Sequence, residues 1–142
     1  MEYQRTACMY LVSSDSQVLL IKHPKFGVWL PPGGHVESGE STRNALRREM
    51  LEEVGYDIGE GIEYVIDNKA TRVVMPFFVQ LEDHGDHHVE AQFFNKYISI
   101  MPVLHSPEGL EMRWWSQQEV IDSNEFFDNT KEHIEIIMEE LR

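Results

Sequence analysis

Residues 31–55 leave this chain little choice of fold. Pro31-Pro32-Gly33-Gly34 lacks two amide donors and two Cβ atoms, so it suits neither a helix nor a central strand, and the backbone is expected to turn sharply there. Beyond it a Ser41-Thr42 start opens a run of strong helix formers to Val54, and Gly55 stands where a left-handed cap ends many helices. Leu46, Met50 and Val54 recur at i, i+4 and i+8, an apolar row by which that helix can lie on a sheet. A helix docked on strands and entered from a glycine bend is the frame the rest must fit.

Apolar runs at 7–12 and 17–21 flank the polar stretch Ser13-Ser14-Asp15-Ser16 and predict a hairpin, followed by a loop around His23 to Gly27. Further strands are expected at 62–67, 73–81, 92–100 and 111–115, with 82–88 as a polar loop. A closing amphipathic helix over 129–141 carries Ile134, Ile137, Met138 and Leu141 at helical spacing. Strands and helices mix in this α/β chain without the regular alternation of a fully parallel sheet. No repeat or linker divides the 142 residues, a length that supports one core, so 1–142 is expected to form a single domain.

The chemistry sits on the first helix. At about 100° per residue, Glu49, Glu52 and Glu53 fall at i, i+3 and i+4 and project from one face. Carboxylates so close repel one another and raise each other's pKa unless a cation lies among them, and hard oxygen donors suit Mg²⁺ or Mn²⁺. The glycine bend can bring backbone groups close to a ligand, so a Gly33 or Gly34 carbonyl is a candidate metal ligand. Arg48 is placed to pair with Glu40 or a neighbouring carboxylate, orienting the site without reacting.

Charge points the same way. With 25 acidic against 12 basic side chains the formal net charge is -13, a field that repels nucleic-acid backbones, so no stable nucleic-acid binding is expected. A polyanionic substrate would need a metal ion to bring it in. The single cysteine, Cys8, excludes an intramolecular disulfide framework and fits a reducing, cytoplasmic setting; neither an export signal nor a membrane span is expected.

These residues resemble the Nudix box, G-x5-E-x7-R-E-U-x-E-E-x-G-U with U a bulky aliphatic residue. Gly34, Glu40, Arg48, Glu49, Glu52, Glu53 and Gly55 occupy every fixed position, and only the last differs, Tyr56 standing where an aliphatic residue is usual. The Trp114-Trp115 pair and the run Ser116 to Val120 after it are also similar to the family. The resemblance, to the MutT-like Nudix hydrolases, implies an α/β/α sandwich with a mixed sheet and hydrolysis of a nucleoside diphosphate linked to a further group X; the small size of the chain puts nucleoside triphosphates ahead of nucleotide sugars and dinucleoside polyphosphates. It implies that Glu49, Glu52 and Glu53 hold the divalent metal with the Gly33 carbonyl, and that Glu40 and Arg48 support them. Glu52 or Glu49 is then the base that accepts the proton of the attacking water. Relatives often carry a further glutamate ahead of the tryptophan pair; Glu108 is placed first in that role and Glu111 second. A homodimer is a further expectation, and the competing function is a non-catalytic module that senses a nucleotide or sugar-nucleotide.

Several other features have plainer explanations. His84, His87 and His88, near Asp83 and Asp86, are read as polar loop residues before a transition-metal site. Trp29, Trp114, Trp115, Phe77, Phe78, Phe93 and Phe94 are expected mainly in the core, with Phe26 and Tyr97 as lesser candidates for stacking on a base. Lys22, Lys25 and Arg72 are expected to be solvated before they are phosphate contacts, and Cys8 to be a small core residue.

Overall fold

The computed structural model describes residues 2–59, 63–65 and 71–141. In chain order its elements are β1 (Glu2–Ser13), β2 (Gln17–Lys22), β3 (Trp29–Leu30), β4 (Gly33–His35), α1 (Thr42–Val54), β5 (Glu63–Val65), β6 (Thr71–Val73), β7 (Phe78–Asp83), β8 (His87–Ile98), β9 (Met112–Ser116), α2 (Gln117–Asp122) and α3 (Asp128–Glu140). Among the described residues no helix is long and apolar enough to cross a membrane.

The main sheet runs β3-β2-β1-β8-β7, with β4 also paired to β1 and β9 to β2. β1 and β8 are parallel from Glu2↔His87 to Ser13↔Ile98, and the other pairings are antiparallel, so the sheet is mixed. Burial on both faces explains why β1 and β2 read as unbroken apolar runs. Met9, Leu11, Leu19 and Ile21 pack with Leu46, Met50 and Val54 of α1 on one side. Tyr10, Val12, Val18 and Leu20 pack with Val120, Ile134, Ile137 and Met138 of α2 and α3 on the other. The α/β/α arrangement of a mixed sheet between helices is as expected.

Several boundaries differ from the sequence reading, each for a local reason. The hairpin forms around Ser13–Ser16, where the Ser16 amide donates to the Ser13 carbonyl at 3.0 Å. Its first strand reaches back to Glu2, because the long ladder to β8 carries polar residues that periodicity alone excludes. The single strand expected at 73–81 is two, β6 and β7, separated by residues 74–77. The polar loop expected at 82–88 shrinks to a tight turn: Glu82, Asp83, His87 and His88 belong to β7 and β8, whose partly exposed faces accept polar side chains. Gly33 and Gly34 are not outside regular structure either. They form β4, paired as Cys8↔Gly33 and Ala7↔Gly34. Of the strand expected at 62–67, β5 accounts for 63–65, and the rest lies outside the described residues.

Candidate active site

The first helix is fixed at both ends by its own sequence. Ser41 caps it, its Oγ accepting from the Asn44 amide at 3.1 Å, and Gly55 closes it at φ 70°. The apolar row Leu46, Met50 and Val54 is buried on the sheet. That contact sets the rotation of α1 and hence where its glutamates point.

Gly33 and Gly34 bring the backbone up to those glutamates. A Cβ on Gly33 would lie 2.2 Å from the Ala7 carbonyl oxygen and 2.6 Å from Cys8 Cα, backbone atoms that cannot move aside. A Cβ on Gly34 would lie 2.6 Å from the carboxyl carbon of Glu49. Both glycines are therefore required by close approach. The Gly33 amide donates to Glu53 Oε1 at 2.7 Å, a charge-assisted bond joining β4 to the last turn of α1.

Arg48 organises the outer carboxylates. Its Nε and Nη2 donate to the two oxygens of Glu40 at 2.9 and 3.0 Å, and Nη2 also donates to the His35 carbonyl at 3.1 Å. Nη1 donates to Glu49 at 2.9 Å and to Glu52 at 3.4 Å. Arg48 thus pairs with Glu40 and with neighbouring carboxylates together. The guanidinium holds the Glu40 carboxyl below its ordinary pKa, first by hydrogen bonding, and its own pKa is raised by the same bond.

The inner carboxylates behave in the opposite way. Burial pushes Glu53 up to about 7, against the Gly33 amide, with repulsion from Glu49, Glu108 and Glu52 adding to it. Glu49 is also raised, chiefly by burial; Arg48 opposes this, while Glu52 and Glu108 reinforce it. Glu108 is thus within electrostatic reach of both, whereas Glu111 is not among the groups that shift them. The loop carrying Glu108 docks at the end of α1, the His105 carbonyl oxygen lying where a Cβ on Gly55 would be 2.4 Å away. Within the loop, Ser106 accepts from the Gly109 amide and, through Oγ, from the Leu110 amide, both at 3.0 Å.

Mutually repelling oxygen donors are the chemistry a hard divalent cation neutralises, and in that respect the residues present fit Mg²⁺ or Mn²⁺. They are not gathered into a ready cage: among the described residues no three His, Cys, Asp or Glu side chains converge in metal-binding geometry. Arg48 draws Glu49 and Glu52 toward itself, and the Gly33 amide holds Glu53.

Beside Glu53 opens a cleft of about 720 Å³, lined by that residue, by Gly33, Gly34 and His35 and by the start of α3. Cys8 packs against the core, as expected, and also lines the cleft; burial raises its thiol to about 12, so it is no nucleophile. Gln80, Glu82, Phe127, Asp128 and Asn129 also line the cleft and escaped sequence reasoning. Phe127 offered a signal, an apolar residue just before an amphipathic helix, but 46% exposure at the mouth of a cleft is visible only in three dimensions. Trp29, Trp115, Phe93 and Phe94 are buried, as expected of core residues. Trp114, Phe77 and Phe78 pack against the cores. Phe26 stacks on His23, which lines the cleft, and Tyr97 donates to Glu140; neither of the two lines the cleft itself. Lys22 pairs with Glu125 and Lys25 lies over the Phe26 ring, neither of them lining the cleft. The side chain of Arg72 lies outside the described residues. His84 and His87 stack with ring centroids 5.0 Å apart, each bonded to a carboxylate, Glu82 and Asp86 respectively.

The chain matches the NUDIX domain over residues 2–138. It is 36% identical over 84 residues to the uncharacterized Nudix hydrolase YvcI of Bacillus subtilis, covering 59% of this chain and 48% of that protein. With the CTP pyrophosphohydrolase of Escherichia coli it shares 38% identity over 63 residues, 42% of this chain and 46% of that one. It therefore spans about half the length of these curated relatives. Among solved structures, a hydrolase of the NUDIX family from Clostridium perfringens superposes with a TM-score of 0.73 at 20% identity, covering 94% of this chain and 97% of that one. With the box complete, its arginine clamped and its glutamates crowded beside a cleft, the chain belongs to the NUDIX family.

Proposed function

We propose that the chain is a hydrolase that cleaves a phosphoanhydride bond in a nucleoside diphosphate linked to a group X, nucleoside triphosphates being the first substrates to consider. The observation that carries this reading is the crowding of the carboxylates of Glu49, Glu52 and Glu108 around Glu53, which itself lines a nucleotide-sized cleft. Glu49, Glu52, Glu53 and Glu108 with the Gly33 carbonyl would hold Mg²⁺ or Mn²⁺. A cation bound there neutralises the pyrophosphate oxygens and lowers the pKa of bound water.

The remaining roles belong to the chain's own side chains. Glu52, half-exposed, accepts the proton of the attacking water at a carboxylate oxygen, with Glu49 as the alternative. Arg48 orients Glu49 and ties it to Glu40, so that the loop ahead of α1 and the helix glutamates are held together. The Gly33 amide holds the Glu53 carboxyl against β4 through one hydrogen bond. The cleft beyond Gly34 receives the nucleoside part.

The test is a panel of nucleotides incubated with the protein and Mg²⁺, with release of phosphate or pyrophosphate measured. Hydrolysis of at least one, lost by orders of magnitude in Glu52→Gln and Glu53→Gln while both proteins stay folded, is the expected result. Retained turnover in both variants refutes the assignment. Nucleotide binding without release of product would identify the non-catalytic sensing module instead.

A further inference from the structure

The cleft has one wall that the proposed hydrolysis leaves unused. Along β7, Phe78, Gln80 and Glu82 alternate onto the half-buried face, and Gln80 and Glu82 reach the cleft. Glu82 is held at both oxygens: Gln80 Nε2 donates to Oε2 at 2.6 Å, and His84 Nε2 lies 2.9 Å from Oε1. A carboxylate oxygen has two acceptor positions, so each oxygen of Glu82 retains one after these bonds. The carboxylate is thereby a pre-oriented fork of two adjacent acceptors.

Its surroundings suit a flat, uncharged ring. Register places the small Ala91 of β8 opposite Gln80, and Thr6 of β1 on the other side of Ala91, so the floor beside the fork is low. Phe127, 46% exposed, lines the same cleft and offers aromatic surface for stacking, with the buried Phe93 as apolar wall. Among the described residues lining it there is no Lys or Arg, whereas Glu53, Glu82 and Asp128 are acidic. An anionic ligand group would be repelled at the Glu82 end; N–H donors are welcomed.

We infer that Glu82, held by Gln80 and His84, is the specificity-determining residue of the cleft and selects a nucleobase offering an amino group beside a ring N–H, the edge of a 2-amino-6-oxopurine. This rests on the reading of the cleft as a nucleotide site. Two parallel N–H donors match the two oxygens of the fork. Adenine and cytosine set their amino group beside an unprotonated ring nitrogen, which faces the second oxygen lone pair to lone pair. Uracil sets its one N–H between two carbonyls, which repel the carboxylate on either side. A polar site left unpaired by the wrong base discriminates strongly against it.

Titration of the whole chain with guanosine, adenosine, cytidine and uridine, in the absence of metal and followed by NMR, tests the inference. Guanosine is expected to bind about tenfold or more tightly than the others, the discrimination usual for a two-bond base contact. Glu82→Gln, which replaces one acceptor by a donor, should reduce that preference to about twofold or less. Gln80→Leu, which leaves the carboxylate but frees its orientation, should reduce it in part and carries the test if the first variant does not fold. Equal affinities, no binding of any nucleoside, or a preference unchanged in a folded variant overturns the inference. Triphosphate hydrolysis with Mg²⁺, measured on the same samples, reads the proposed reaction separately: its absence sinks the hydrolase and leaves a guanosine preference standing.

Discussion

Arg48 and Glu40 form a closed fork, Nε to Oε2 at 2.9 Å and Nη2 to Oε1 at 3.0 Å, while the third nitrogen turns away to Glu49. One planar cation thus links the loop ahead of α1 to a glutamate of the helix. It also screens Glu49 from Glu52, with which it shares the same Nη1.

Arg48→Lys should expose that geometry. Lysine keeps the charge but cannot hold Glu40 bidentately and reach Glu49 as well. The loss of orientation is expected to lower kcat about 10- to 100-fold, in the range for ligand-orienting residues, with a smaller change in KM. Steady-state kinetics on the first substrate found checks this, and a kcat within twofold of the parent would show that charge alone suffices.

Gly34→Ala separates activity from folding. The added Cβ would meet only the far end of the Glu49 side chain, at 2.6 Å, and Gly34 is not among the residues with positive φ. The carboxyl must swing aside while the backbone stays. Turnover should fall about 100-fold, as for a misplacement of about 1 Å, with Tm within a few degrees of the parent. Unchanged turnover would mean that the position of Glu49 does not matter.

At Gly55 the obstacle is backbone instead. A Cβ there would lie 2.4 Å from the His105 carbonyl oxygen, and φ is 70°. Gly55→Ala should cost about 2 kcal/mol or more, seen as a drop of about 5 °C or more in Tm. Gly59→Ala is the control, since its φ of 82° is similar but nothing among the described residues lies within 4 Å of the added atom. It should lose less. If the two variants melted together, the docking of the Glu108 loop on α1 would contribute nothing.

How much of this was legible in the sequence depended on the range of the interaction. Ser41, Gly55 and the row Leu46, Met50, Val54 announce α1 because caps and periodicity are local. The carboxylate face and its arginine followed from helical spacing in the same way. What could not be read was set by pairing across the chain. Gly33 and Gly34 became a strand because β1 lies beside them. Glu82 left its expected loop because β8 continues the ladder to Asp83↔His88. Cys8 reads as a core residue from the apolar run 7–12 and does pack against the core, but the cleft that it also lines is bounded by Gly33 and by α3, more than a hundred residues away. Composition carries no trace of such neighbours.

His133 makes stability sensitive to acid. The ring is fully buried in α3, Nδ1 lies 2.9 Å from the Tyr10 hydroxyl, and Nε2 has no hydrogen-bond partner among the described residues. Tyr10, Phe77, Phe78 and Phe93 surround it, their ring centroids between 4.1 and 6.2 Å away. Burial lowers its pKa from 6.5 to about 4, with Glu82 opposing the shift. Because the folded value lies below the unfolded one, the unfolded chain binds the proton first. The neutral ring's contribution is complete above about pH 6.5 and is lost as pH falls toward 4, about 3 kcal/mol in all. Glu53, raised to about 7, acts with the opposite sign, favouring the fold as it takes up its proton between 7 and its ordinary 4.5. The parent's stability curve therefore mixes the two, and the difference from a His133→Leu variant isolates the histidine. Urea unfolding at a series of pH values should show that difference shifting in favour of the variant by about 2 to 3 kcal/mol between pH 7 and pH 4. A difference constant across that range would mean that His133 keeps an ordinary pKa in the fold.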